Sequence, residues 1–201
     1  MTAPQRTWAG TTLADRRATR RRQLIEAGLE LLGSHGTSAV SVRAVCRTAK
    51  LTERYFYESF DDRDALLLAV YDQVAQQAHE ALVAAVANAP DDVTELVRAA
   101  VTSFVELIID DPRKGRVLLL APLTDPALIR RGSELLPSFT TLIHDQLPAS
   151  IDGTDRRLSA VGVTGALTNL FTGYLNGTLD VPRERLVEHC VRLLLDAARA
   201  R

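Results

Sequence analysis

The segment 37–63 restricts the fold of this chain most strongly, because it contains two helix starts very close together. Each start is marked by an aliphatic residue followed by a hydroxyl residue, Val40 with Ser41 and Leu51 with Thr52. A further apolar residue lies five positions after each aliphatic one, which is the spacing of a hydrophobic staple, and the hydroxyl groups can cap the first turn. The pattern predicts helices that begin near residues 42 and 53, separated by a turn of about four residues.

Helices this short have no interior of their own and are used where one helix braces another against a surface. At 100° per residue, the second helix places Phe56 and Phe60 on one side and Arg54, Tyr57 and Glu58 on the other. One face therefore packs and the other points outward. This arrangement predicts a helix-turn-helix motif that binds DNA through its second helix.

The outward residues have side chains that suit DNA. Arg54 can form a bidentate pair with guanine, and Tyr55 and Tyr57 can donate to a phosphate or pack against a thymine methyl group. The charge distribution agrees with this interpretation: the whole chain has a formal net charge of -1, but residues 1–63 carry 11 basic against 7 acidic residues. We therefore expect a basic DNA-binding head on an acidic body with another role.

Beyond residue 61 every segment has a helical pattern, so the sequence predicts an all-α protein. We expect a flexible N-terminal arm over residues 1–14, a helix-turn-helix domain over 15–62 that opens with Asp15 as an N-cap, and a larger helical effector-binding and dimerisation domain over 63–201. Within that body, Gly132 and Pro137 are expected to bend or interrupt a helix over 125–146.

The last two predicted helices, 155–178 and 182–200, form a pair joined by a short turn, with Pro182 at the first helical position. The first of them contains Ala160, Gly162 and Gly165, small residues that lower helix propensity unless another helix approaches closely. A crossing inside one subunit and an interface between two subunits both explain these residues. The lack of strand signals elsewhere favours the subunit interface.

About 80 residues between Asn88 and Thr168 are more than a DNA-binding head and a dimer contact need, and a ligand pocket is the natural explanation. Isolated polar residues on the apolar helices are candidates to orient a mostly apolar effector, although each can also be a surface or capping residue. The candidates are Thr102, Ser103, Glu106, Arg116, Thr140, His144, Asn169 and Thr172.

Enzymatic and membrane functions have little support in the sequence. The four histidines are scattered, the two cysteines lie 144 positions apart, and no metal-binding, nucleophile or phosphate-loop motif is present. The sequence therefore predicts no catalytic residue, no metal and no cofactor. No apolar run approaches the roughly 18 residues of a membrane span, and the N-terminus lacks a signal peptide, so we expect a cytoplasmic protein with reduced thiols.

The run from Leu24 to Val70 resembles the tetracycline-repressor family of bacterial transcription regulators. The resemblance lies in LIEAGLELLGSHG for the first helix, SVRAV for the second, LTERYFYESF for the recognition helix and DDRDALLLAV for the start of the fourth. It covers about a third of the chain. It implies a homodimer in which the last two helices of each subunit form a four-helix interface, a palindromic double-stranded DNA operator, and a repressor that a small-molecule effector releases.

By position, the resemblance implies that Arg43 contacts a base and that Arg63 clamps a phosphate at the start of the fourth helix. Lys50 stands where the family usually has glycine in the turn. The predicted DNA-binding residues are Ser41, Arg43, Lys50, Thr52, Arg54, Tyr55, Tyr57 and Arg63. The alternative is a helical interaction module that has lost DNA binding, which would not need Arg54, Tyr57 and Arg63.

Overall fold

A computed structural model describes residues 12–199, which form α-helices without a β-strand. The predicted all-α fold is therefore confirmed. The elements are α1 (Leu13–His35), α2 (Val42–Ala49), α3 (Glu53–Tyr57), α4 (Arg63–Asn88), α5 (Val93–Val105), α6 (Pro112–Gly115), α7 (Pro126–Gln146), α8 (Gly153–Leu175) and α9 (Arg183–Arg199). Short π-helical turns, Glu106–Asp110 and Arg116–Leu120, extend α5 and α6, and 3₁₀ turns occupy Thr37–Ala39 and Ala121–Leu123.

The first helix begins earlier than the sequence predicted. Thr12 is the N-cap, its hydroxyl accepts from the Asp15 amide at 3.1 Å, and the Asp15 carboxylate accepts from the Thr12 amide at 2.9 Å. Asp15 is thus the third residue of a reciprocal capping box and not the cap itself. Residues 12–14 of the predicted arm belong to this cap and helix, whereas the rest of the arm lies outside the described residues.

The helices α1, α2 and α3 enclose a small core together with the start of α4. Leu24, Val45, Phe56 and Leu66 are each fully buried in it, one from each helix. Burial of these side chains offsets the low intrinsic stability of α2 and α3, which span only eight and five residues.

The body is built around α4, which runs from the head and packs against α5 and α7. The helix α7 is continuous through Gly132 and Pro137, so these two residues do not interrupt it, and a bend there stays a prediction. Asp125 caps this helix by accepting from the amides of Ala127 and Leu128. The last helix starts at Arg183, one residue after Pro182.

A second junction between head and body lies where α6 crosses α1. A Cβ atom built on Gly33 would lie 2.6 Å from the Cβ of Arg113, so glycine is what allows the two backbones to approach this closely. Arg113 donates to Glu30 on α1 at 2.7 Å and to Asp111 at 2.9 Å. The head is therefore attached to the body by packing and by ion pairs.

None of the helices in the described part of the chain is long and apolar enough to span a lipid bilayer.

Candidate DNA-binding surface and ligand cavity

The motif formed by α2, a three-residue turn and α3 has the geometry that the sequence predicted. Ser41 caps α2, with its hydroxyl accepting from the Ala44 amide at 3.2 Å. Thr52 occupies the equivalent position before α3 but makes no capping bond with its side chain. Both helices start where the sequence predicted, and Thr52 is the N-cap residue of α3, although its hydroxyl does not make the expected capping bond. Its exposed side chain remains free for another contact.

Lys50 adopts the left-handed conformation, with φ 54° and ψ 39°. It is the one non-glycine residue with positive φ among residues 12–199. A side chain in this region costs on the order of 1 kcal/mol relative to glycine. The turn is retained because the amides of Lys50 and Leu51 donate back to the carbonyl groups of Arg47 and Cys46.

The recognition helix α3 has one buried and one exposed face, as predicted. Phe56 is fully buried and packs on Phe60 with ring centroids 5.6 Å apart. On the other face, Tyr57 is 58% exposed and the Arg54 side chain is 84% exposed. The side chains expected to meet DNA are therefore accessible.

The two exposed arginines pair only weakly with neighbouring carboxylates. Arg54 lies 3.3 Å from Glu58, and Arg43 lies 3.5 Å from Glu53 with its side chain 90% exposed. Ion pairs at such exposed positions stabilise a fold by about 1 kcal/mol or less. Both guanidinium groups can therefore exchange these partners for bases or phosphates at small cost.

Tyr55 has a structural contact that the sequence did not reveal. The guanidinium of Arg20 on α1 stacks over its ring at 4.3 Å from the centroid and also reaches Glu58 at 3.5 Å. Arg21 stacks over Phe60 in the same way, at 4.8 Å. Part of the basic cluster at the start of α1 is thus used to hold the recognition helix, and Tyr55 is half-buried beneath it.

Arg63 is engaged inside the protein. Its Nε donates to the carbonyl oxygen of Val40 at 2.9 Å and its Nη2 to that of Thr37 at 2.8 Å. The guanidinium also pairs with Asp64 at 2.8 Å and lies 3.6 Å from Asp125. The phosphate contact of Arg63 stays a prediction, and in this structure the side chain braces the backbone before α2 against the body.

Asp125 connects this brace to the body helix α7. One carboxylate oxygen caps α7, and the other faces Arg63. The residue is only 8% exposed, so its pairing with Arg63 is less screened by solvent than the surface pairs on α2 and α3. The pair therefore connects the start of α7 with the segment that precedes the helix-turn-helix motif.

A cavity of about 450 Å³ lies inside the body, enclosed mainly by α4, α5, α7 and α8. Among the described residues its lining contains no charged side chain. Its few polar groups include Tyr71, Thr164, Thr168 and Gln146. The two threonine hydroxyls donate to carbonyl oxygens of their own helix, at 2.7 Å and 2.8 Å. This is the composition of a site for a largely apolar molecule.

Tyr71 on α4 is 4% exposed and has its hydroxyl next to Gly132 of α7, 3.0 Å from where a Cβ would be. Burial, assisted by the nearby charge of Asp72, raises the pKa of this phenol to about 12. Tyr71 therefore remains a neutral hydrogen-bond donor at physiological pH, at the end of the cavity that lies closest to the Arg63 brace.

Residues 24–70, which contain this helix-turn-helix motif, match the family described as bacterial regulatory proteins, tetR family. The head is therefore a tetR-type DNA-binding domain. The match supports the predicted role in transcription regulation. No curated protein sequence matches the chain.

Solved structures of tetR-like proteins share the fold over most of the chain. The fatty acid degradation regulator FadR from Bacillus halodurans has a TM-score of 0.74 at 18% identity, covering 88% of this chain and 94% of that one. FadR from Bacillus subtilis, in complex with stearoyl-CoA, has a TM-score of 0.72 at 15% identity, covering 88% and 98%. A TetR-like regulator from Rhodococcus sp. RHA1 has a TM-score of 0.70 at 20% identity, covering 90% and 94%.

The structure does not bring the predicted effector residues together at the cavity. None of the eight is part of its lining: Thr102, Ser103, Glu106, Arg116, Thr140, His144, Asn169 and Thr172. Several have partners elsewhere in the protein instead. The Ser103 hydroxyl donates to Ala81 on α4, Arg116 donates to the Gly33 carbonyl, and His144 lies 3.0 Å from Asp145.

The residues that line the cavity are mostly apolar, so isolated polar positions in the sequence did not predict them. The available signal was an apolar stripe on α7, in which Ile129, Leu136, Phe139 and Ile143 recur at helical spacing. Apart from Leu128, the residues of α7 are only partly buried or exposed, although the helix is rich in large apolar residues. Such a stripe facing empty space indicates a ligand wall.

Replacing Lys50 tests the left-handed turn. Lys50→Gly should be more stable than Lys50→Ala by about 1 kcal/mol, because alanine keeps the Cβ that strains this conformation and glycine removes it. Urea-induced unfolding of the two variants measures the difference, and both lack the ammonium group, so charge is matched. Equal stabilities would show that the turn relaxes out of the left-handed region in solution.

Proposed function

We propose that this protein is a tetR-family, ligand-responsive repressor that binds a palindromic operator as a homodimer and is released when an apolar small molecule fills the cavity. Two observations together support the proposal. Arg43, Arg54 and Tyr57 are exposed on the proposed DNA-facing side, and the described residues that line the cavity in the body carry no charge. A protein-interaction module without DNA binding would have no need for this exposed basic face.

In the proposed complex, α3 enters the major groove and Arg54 reads a guanine, whereas Arg43 reaches a base edge from α2. Tyr57 anchors a phosphate, and Ser41, Lys50 and Thr52 contribute contacts from the exposed rim of the turn. Tyr55 contributes through its edge while Arg20 covers its face. Two heads related by a dimer axis would bind half-sites about 34 to 36 Å apart, one helical turn of DNA.

An uncovered apolar face of α8 supports the homodimer. Leu158 is 65% exposed and Val161 58% exposed, and a Cβ atom on Gly162 or Gly165 would meet nothing within 4 Å. The opposite side of the same helix is buried in the body through residues such as Phe171. A helix that is apolar on both sides needs a second partner, and small residues permit close approach. We propose that this partner is α8 with α9 of a second copy.

Release of DNA requires that the ligand favour a conformation that the operator does not. A ligand in the cavity contacts α7, whose N-terminal cap Asp125 pairs with Arg63. Arg63 in turn holds the carbonyl groups of Thr37 and Val40, which lead into α2. We propose that displacement of α7 is transmitted by this route to the orientation of the head. FadR from Bacillus subtilis, bound to stearoyl-CoA, is a precedent for a ligand on this fold.

The DNA-binding proposal is tested by substitution of Arg54. The operator is first identified by sequencing the fragments that the purified protein enriches from genomic DNA. Arg54→Ala should weaken binding to that operator by about 1 to 3 kcal/mol and leave binding to unrelated DNA nearly unchanged, because the bidentate pair with guanine is lost. Arg130→Ala, which removes an exposed arginine of α7, is the matched control. Equal losses on both kinds of DNA would contradict a base-reading role.

Substitution of the exposed α8 face tests the dimer. Leu158→Glu combined with Val161→Glu should convert the protein to a folded monomer, because four carboxylates would then meet across the proposed interface. Sedimentation equilibrium gives the molecular mass, and Val83→Glu on the exposed side of α4 controls for the added charge. A double variant that remains dimeric would place the interface elsewhere on the molecule.

A further inference from the structure

The cavity is long. Its lining residues on α7 extend from Ile129 to Gln146, which corresponds to about 25 Å along the helix axis. Those on α4 extend from Tyr71 to Val86, or about 22 Å, and those on α5 from Val93 to Phe104, or about 16 Å. The lining residues of these three helices thus enclose one elongated space, which follows α7 for most of its length.

The volume and the length together describe an elongated space. About 450 Å³ extends over about 22 to 25 Å along α4 and α7. A long flexible chain can follow such a space, whereas a compact fused ring system leaves part of its length unfilled.

The chemistry of the wall agrees with an alkyl chain. Large aliphatic and aromatic side chains make up most of it, and the hydroxyls of Thr164 and Thr168 are already bonded to their own helix. An ionised group placed among the described lining residues would lose its hydration without gaining a charged partner, which is costly. The inside of the cavity therefore suits methylene groups and excludes a charged end.

One side of the cavity opens to solvent along α7. Ile129 and Leu136 line the cavity and are nevertheless 50% and 46% exposed, and Ser133 between them is exposed as well. These three residues follow one another at helical spacing, so the opening runs along one edge of the helix. A polar head group can remain in water at this edge while its chain is buried.

We infer that the cavity binds a long hydrocarbon chain whose polar head group stays at the solvent edge of α7. This inference rests on the proposed function, because it names the chemical class of the effector for the same cavity. The shared chemistry is the chain itself, which can belong to a free fatty acid, an acyl thioester or a long-chain alcohol.

The direct test is a titration of the full-length protein, without DNA, with straight-chain ligands of increasing length. Octanoate, dodecanoate, hexadecanoate and octadecanoate are used below their micelle-forming concentrations. Affinity should rise about fourfold per added methylene group and level off when the chain fills the cavity. Cholate provides a fused-ring comparison and should bind far more weakly than hexadecanoate. Affinity that is independent of chain length, or cholate that binds as tightly, would overturn the inference.

Ligands with the same chain but different head groups show which class of compound supplies the chain. Hexadecanoate, hexadecanol and hexadecanoyl-CoA present the same chain with different polar ends. Affinities within tenfold of one another support recognition of the chain alone, and much tighter binding of one compound identifies that head group as part of the ligand. Binding that depends on the head group but not on chain length would contradict a chain-binding cavity.

A plugged cavity gives a second, independent readout. Ala100→Trp on α5 fills the cavity from one wall, and Ala198→Trp fills it from α9, so each should end the rise in affinity at a shorter chain than in the wild type. Val83→Trp on the exposed face of α4 is the matched control and should leave the length dependence unchanged. Circular dichroism and thermal unfolding identify the variants that fold. If folded Ala100→Trp and Ala198→Trp proteins keep the wild-type length profile, the chain binds elsewhere.

The same samples separate this inference from the proposed function. If straight-chain compounds do not bind but another apolar compound releases operator DNA, the effector class is wrong and the regulator mechanism stands. If the chains bind with the expected length dependence and DNA binding is unaffected, the cavity assignment stands and release by this ligand is wrong.

Discussion

The position of the DNA-binding head depends on how Arg63 is held. Its guanidinium binds two backbone carbonyl oxygens of the segment before α2 and faces Asp125 at the start of α7. A single side chain thereby links the helix-turn-helix motif, the first turn of α4 and the wall of the cavity. The planar fork of an arginine can satisfy several oxygen atoms in fixed directions, which a lysine cannot do. Together with the close contact of Gly33 with Arg113, this contact is the route by which we propose that movements of the body reach the DNA-binding surface.

The side chains on the proposed DNA-facing surface and those of α7 at the cavity have different surroundings. At the DNA surface, Arg43, Arg54 and Tyr57 are exposed and held by weak partners, so they can reorganise on binding. At the cavity, α7 has one buried residue, Leu128, and otherwise presents its apolar side chains to a space that a ligand can fill. We therefore propose that α7 is the wall of the cavity that moves when a ligand binds.

The sequence predicted the parts of this protein that local rules determine. The starts of α2 and α3 followed from staple and hydroxyl positions, and the buried Phe56 and Phe60 followed from helical geometry. Lys50, which stands where the family usually has glycine, keeps the left-handed conformation in the turn. Long-range contacts were not accessible in the same way. Arg63 pairs with residues 23, 26 and 62 positions away, and the cavity is formed by apolar stripes whose empty space has no signature in one helix alone. Isolated polar residues were a poor guide to it, because Ser103, Arg116 and His144 bond to other protein groups and not into the cavity.

The most direct test of this account measures how strongly the ligand weakens operator binding when the link at Asp125 is altered. Asp125→Asn keeps a side chain that caps α7 but removes the charge that faces Arg63. Operator affinity is measured for the wild type and the variant, each with and without saturating hexadecanoate. We expect both proteins to bind the operator with similar affinity in the absence of ligand. The ligand should lower the operator affinity of the wild type by tenfold or more, and that of the variant by much less. An unchanged ratio in the variant would show that the signal from the cavity reaches the head by another route.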